Sequence, residues 1–248
     1  GYAELYRLGG VPDDGVELAM SRIESESERM AHLVDDLLQL ARLDERRKIN
    51  MQPVDLALTA LNTVQDFHIR APDWPADVIG LDGGEPRAVV VTADQEKVTQ
   101  VITNLLSNVL THTPPATPIE VAVGVNSAAQ DVGVVEVRDH GPGISPEDSE
   151  RLFERFFRTD VSRSRVSGGS GLGLAIVSAI MTIHNGNASV HETPGGGLTV
   201  RLEFPGVHVE QEQTEPKRRW RGGKNNTNNG TTADGEDSGE PEASGESR

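Results

Sequence analysis

Cysteine is absent from the 248 residues. That excludes disulfides, zinc–thiolate sites and cysteine nucleophiles, and it fits a reducing, cytoplasmic setting. Aromatic residues make up only 4% and apolar residues 35%, so part of the chain lacks the material for a packed core. Basic residues are in deficit: 23 Lys and Arg stand against 39 Asp and Glu, a formal net charge of -16. Such a chain is a poor general binder of nucleic acid or anionic membrane. No apolar run reaches the roughly 18 residues that suggest a membrane span, and no signal-peptide pattern opens the chain. The start at Gly1-Tyr2-Ala3, without an initiator Met, reads as the interior of a helix and is expected of a truncated chain.

What is present divides into three parts. In residues 1–48, a short helix ends at Gly9-Gly10 and a turn follows at Val11-Pro12-Asp13-Asp14. A long helix is then expected from about Asp14 to Arg47. Its Met30, Leu33, Val34, Leu37, Leu40 and Ala41 recur at three and four residues, which makes a narrow apolar stripe. Ser25, Glu26, Ser27 and Glu28 fall on the solvent side. A helix this long with so narrow a stripe needs a partner helix or a second copy of itself; the alternative is an amphipathic helix packed on a globular domain.

Residues 53–206 read as an α/β unit. Helices are expected at 56–69, 94–112, 147–157 and 172–184, and strands at 88–92, 119–125, 132–137, 188–192 and 198–204. Thr113-Pro114-Pro115 ends the second of those helices, and the polar stretch 158–170 reads as a mobile loop. Residues 207–248 hold almost no large apolar side chain, which predicts a disordered tail. Its basic run Lys217–Arg221 is either simply solvated or a contact for phosphates or lipid headgroups.

Three stretches carry chemistry. Asn104-Leu105-Leu106-Ser107-Asn108 puts two amides four residues apart, hence on one helix face. Amide oxygens suit Mg²⁺, which keeps waters and leans on substrate phosphates; a capped or solvated helix face is the plain alternative. Asp139-His140-Gly141-Pro142-Gly143-Ile144 follows a strand. A carboxylate there can accept a hydrogen bond from an exocyclic amine, and glycines let backbone approach a flat base; an ordinary turn would have the same composition. Gly168-Gly169-Ser170-Gly171-Leu172-Gly173-Leu174 leads straight into a helix. Free N–H groups at a helix start form an anion site, yet the Gly-Lys-Ser/Thr ending of a P-loop is missing. Between the last two lies Phe153-Glu154-Arg155-Phe156-Phe157-Arg158, whose phenylalanines are expected under the loop and whose arginines suit a terminal phosphate.

In this order, within about 70 residues, these elements resemble the four ATP-site boxes of bacterial sensor histidine kinases of two-component systems. The matching stretches are 104–108, 139–144, 153–157 and 169–174. The run from Arg29 to Arg42 is similar to the second helix of that family's dimerisation and phosphoacceptor domain. The resemblance implies a two-layer α/β sandwich of the GHKL (Bergerat) type, with a mixed sheet, preceded by a long helix of a dimeric four-helix bundle. It implies ATP and Mg²⁺ as cofactors. Asn108 would coordinate the metal, with Asn104 beside it near the phosphates, and Asp139 would take the adenine amine. Gly141 and Gly143 would line the base; Gly169, Gly171, Leu172 and Gly173 would shape the lid and phosphate contacts; Arg158 would approach the γ-phosphate. The implied partners are a response regulator and a second copy of the chain, with the parent protein at the inner membrane and this part on its cytoplasmic side.

Two departures stand out. Thr111 and His112 occupy places where the family often has a basic and then an aromatic residue. The reactive histidine of the first bundle helix is missing, so the phosphate acceptor would lie upstream or on another chain. Related ATPases of the gyrase and MutL types place a general-base Glu one turn before the metal-binding Asn. Here that position is Asn104, which favours transfer over hydrolysis. A non-catalytic ATP-binding or dimerisation module is the other reading.

Overall fold

Two aspartates set where the two longest helices of the α/β unit begin. The computed structural model describes residues 2–8, 15–44, 49–126, 128–129, 131–159 and 170–208. Strand β1 (Gln52–Asp55) ends at Asp55, whose carboxylate accepts from the Ala57 and Leu58 N–H groups and starts α3 (Leu56–Arg70). Strand β3 (Val90–Ala93) is followed by Asp94, which caps α4 (Gln95–His112) through Glu96 and Lys97. Each cap satisfies donors that a helix start leaves open. Helix α3 buries Leu56, Ala60, Val64 and Phe67, and α4 buries Val98, Val101, Ile102, Leu105, Leu106 and Val109. Both patterns follow the 3.6-residue period.

These helices cover a five-stranded mixed sheet of order β2-β4-β5-β7-β6, made of Ala76–Gly80, Ile119–Val125, Val132–Asp139, Leu198–Pro205 and Asn187–Glu192 in that order. Only β2 and β4 run parallel. The register aligns Val121, Val137 and Val200 in one row and Val123, Val135 and Leu202 in the next, all buried. The intervening positions carry charge instead. Glu136 accepts from Arg138 on its own strand and from Arg201 opposite, at 2.6 Å each. Period-two alternation thus separates an apolar face under the helices from an ion-paired outer face. A second sheet, β1-β3-β8 with Val207–His208 as β8, was not expected. β1 contains Pro53, which is tolerated because β1 is an edge strand.

Helix α6 (Gly173–Ile183) packs on α4 and against the sheet. At its end His184 is buried; its Nδ1 lies 2.8 Å from the Ile180 carbonyl, and its Nε2 accepts the Asp94 N–H at 3.0 Å. The Nδ1–H tautomer satisfies both bonds, tying the start of α4 to the end of α6.

Upstream lie α1 (Tyr2–Arg7) and the 29-residue α2 (Val16–Asp44). Leu40 and Leu43 of α2 join the core, whereas Met30, Val34, Leu37 and Leu38 stay about half exposed. The stripe read from the sequence is therefore mostly uncovered in the single chain.

One expected helix is corrected. Residues 147–157 do not form a continuous helix: α5 is a single turn, Pro146–Ser149, capped by Ser145. Beyond it the N–H groups of Arg151, Leu152, Glu154 and Phe157 each bond three residues back, a tighter series that does not propagate. Phe156 takes φ +63 and gives its N–H to the Gly171 carbonyl, so a long-range contact overrides local helix preference. Of the expected mobile loop, residues 160–169 lie outside the described residues, as do residues 209–248 of the expected tail.

Candidate functional site

A cavity of about 1350 Å³ opens between α4, the turn after β5, the start of α6 and one side of α2. Asn104, Asn108, Asp139, Gly143, Arg158, Gly171 and Gly173 all line it. The structure thus brings together most of the residues singled out from sequence. Gly169 lies outside the described residues. Two others are placed differently. Leu172 is fully buried in the core and does not line the cavity. Gly141 is not at the wall; its N–H instead holds Asp139.

At one end sits Asp139, 7% exposed at the last position of β5. Its Oδ1 accepts the Gly141 N–H at 2.9 Å and the Leu198 N–H at 3.3 Å. Both bonds fall on one oxygen, which leaves Oδ2 as the acceptor to offer a ligand. Burial pushes the carboxyl above its usual range; the two N–H donors and the neighbouring His140 and His112 act in the opposite direction. The turn before β7 closes tightly over this end. A Cβ on Gly197, at φ +114, would fall 1.9 Å from the Asp139 carbonyl oxygen, so no other residue fits there without a backbone shift. Gly197, Leu198 and the buried Thr113 were missed as site residues. The triple glycine at 195–197 was a usable signal, but it reads first as a strand connection.

The other end is built from α4 and α6. Asn104 and Asn108 are half-buried on the cavity side of α4, while Leu105, Leu106 and Val109 point into the core. Facing them is the start of α6, where the N-cap residue Leu172 has no side chain bonded to the helix. A Cβ on Gly173 would meet no atom within 4 Å, so the backbone there is open to the cavity. Gly171, at φ +73, packs so closely that a Cβ would lie 2.9 Å from the Phe157 carbonyl. Of the phenylalanines, Phe153 packs on the core and Phe157 sits under Arg151 at 4.6 Å. Phe156 is 57% exposed, contrary to the expectation that all three are covered.

Helix α2 supplies a wall that sequence reading missed. Arg29, His32 and Asp36 line the same cavity, and Ser170 Oγ donates to Asp36 Oδ2 at 2.8 Å. Among the described residues no group of three or more His, Cys, Asp or Glu is placed to hold a metal. The amides of Asn104 and Asn108 line the cavity, and amide oxygens are hard donors of the kind that suit Mg²⁺.

A buried carboxylate at one end and amides with an open helix start at the other thus share one cavity in a two-layer α/β fold. Residues 93–208 match the family described as histidine kinase-, DNA gyrase B- and HSP90-like ATPases. The probable sensor histidine kinase TcrY of Mycobacterium tuberculosis is 43% identical over 209 residues, covering 83% of this chain and 42% of TcrY. The sensor histidine kinase TrcS of the same organism is 40% identical over 219 residues, covering 86% and 41%. Among solved structures, the Acinetobacter baumannii histidine kinase AdeS superposes with a TM-score of 0.63 at 22% identity, covering 83% of this chain and 91% of AdeS. The mycobacterial sensor histidine kinase MprB gives 0.52 at 26%, covering 63% and 97%. The chain belongs to the bacterial sensor histidine kinases and carries their catalytic region. It spans less than half the length of TcrY and TrcS.

Proposed function

We propose that this chain binds Mg-ATP and transfers the γ-phosphate to a histidine of a dimerisation domain in two-component signalling. The observation that carries the reading is the cavity itself, with Asp139 at one end and Asn104, Asn108, Arg158 and the start of α6 at the other. Asp139 Oδ2 accepts the adenine amine. Asn108 holds Mg²⁺ through its amide oxygen, and the metal, when bound, neutralises charge on the phosphates. The first N–H groups of α6 and Arg158 receive phosphate oxygens. Phosphoryl transfer asks mainly for such positioning and charge stabilisation. The amide of Asn104 cannot take a proton from water at neutral pH, so hydrolysis is the slower fate. A solved full-length structure of ShkA in complex with AMPPNP shares the fold, with a TM-score of 0.62, and supports a nucleotide in this cavity.

The half-exposed stripe of α2 supports homodimerisation, with residues 1–48 forming part of the dimerisation hairpin, 53–206 the catalytic domain and 207–248 a tail. The phosphate acceptor is a histidine upstream or on another chain, and a response regulator receives the phosphate next. The parent protein is a membrane sensor with this part on the cytoplasmic side; no helix among the described residues is long and apolar enough to cross a membrane. The test mixes the chain with Mg-ATP and a polypeptide carrying a phosphoacceptor-histidine helix. Acid-labile phosphate on that polypeptide, lost with Asn108→Ala, is the expected result. ATP binding with no transfer to any such helix would make the chain a binding module, and rapid ATP turnover by the chain alone would make it an ATPase.

A further inference from the structure

The hydroxyl of Ser170 links two elements that are remote in sequence. Its proton goes to Asp36 Oδ2 on α2, 134 positions away, at 2.8 Å. Its oxygen accepts the Leu172 N–H at 3.1 Å. A serine hydroxyl has one proton and two lone pairs, so giving the proton to Asp36 turns a lone pair toward Leu172. Leu172 is the N-cap of α6, and no side chain of its own closes that end. The next residue, Gly173, opens on the cavity. On the other side of the same segment, the Gly171 carbonyl accepts the Phe156 N–H at 3.0 Å. The backbone that presents N–H groups to the phosphate end is thus held from two directions, and one of the two holds comes from the dimerisation helix.

We propose that Asp36 is a positioning residue for the ATP site: through Ser170 it fixes the first turn of α6 where the phosphates bind. Asp36 acts through Ser170 and touches no substrate atom. The bond is charge-assisted, of the stronger kind, and both partners are half-buried at the cavity wall. No local pattern around Asp36 points to this, since Asp35 and Asp36 read equally as solvent-facing charges on a long helix. The proposal rests on the ATP-binding reading, and the experiment separates the two.

The full chain is titrated with ATP and with adenosine by calorimetry, as wild type, Asp36→Ala, Ser170→Ala and the double variant, each checked for native melting. Asp36→Ala and Ser170→Ala are each expected to weaken ATP binding about tenfold. Adenosine, which engages only the Asp139 end, is expected to bind unchanged. The double variant should lose no more than either single one, because both remove the same relay. Asp36→Asn keeps an acceptor oxygen and should return affinity to within about threefold of wild type. Losses that simply add in the double variant, an equal loss for adenosine, or wild-type ATP affinity in Asp36→Ala would each overturn the relay while leaving ATP binding intact. A wild-type chain that does not bind ATP would overturn the underlying reading and the relay with it.

Discussion

The two ends of the cavity are built in opposite ways. The Asp139 end is fixed by backbone: a strand terminus, a glycine that admits no Cβ, and two N–H groups on one carboxylate oxygen. The opposite end is made of half-buried amides, an arginine and the open start of α6, braced by side chains from distant elements. The difference teaches where selectivity and chemistry reside. A rigid end can recognise one flat group by shape and a single buried acceptor. On the proposed reading, the open end takes in the charged, metal-bearing phosphates and releases them after transfer.

Breaking the rigid end has the largest expected effect. Gly197→Ala places a Cβ against the Asp139 carbonyl at a positive φ. We expect it to destabilise the fold by about 3 kcal/mol, read as a lowered thermal midpoint, and to weaken ATP and adenosine together. Asn108→Ala attacks the other end. It should lower phosphoryl transfer by about 100-fold, measured as phosphohistidine formed per minute, with melting unchanged. Asp139→Asn keeps an oxygen for Gly141 and Leu198 but turns an NH₂ toward the adenine amine. It should weaken ATP and adenosine alike by about 30-fold, or ~2 kcal/mol.

The smallest effect is a pH dependence confined to the rigid end. Burial raises the Asp139 carboxyl in the folded chain above its ordinary value of 3.8. The stability this shift contributes is present below that ordinary value and lost as pH rises through the raised one. On the proposed reading, recognition of the adenine amine runs the other way, since the ionised carboxylate is the stronger acceptor. ATP affinity should therefore begin to fall on acidification at a pH above the usual carboxylate range, and Asp139→Asn should lack that step.

Much of this architecture is written in local pattern. Asp55 and Asp94 mark helix starts, and the apolar period of α3 and α4 and the alternation of β4, β5 and β7 give those elements within a residue or two at most ends. Asn104, Asn108 and Asp139 were legible because helix and strand geometry places them without reference to the rest of the chain. Strands β1 and β2 were not: each is a short edge element, one with Pro53 inside it and the other directly after Pro75. The left-handed turn at Phe156 escaped notice because the residue it bonds, Gly171, lies on the far side of the loop. Asp36 escaped for the same reason, since its meaning depends on a serine 134 positions away.

The most direct test of a two-ended site is to titrate adenosine, ADP and Mg-ATP against the wild type, Asp139→Asn and Asn108→Ala. The account predicts that Asp139→Asn weakens all three by a similar factor, and that Asn108→Ala weakens Mg-ATP while leaving adenosine as tight as in the wild type. The same pattern of loss from both variants would contradict it.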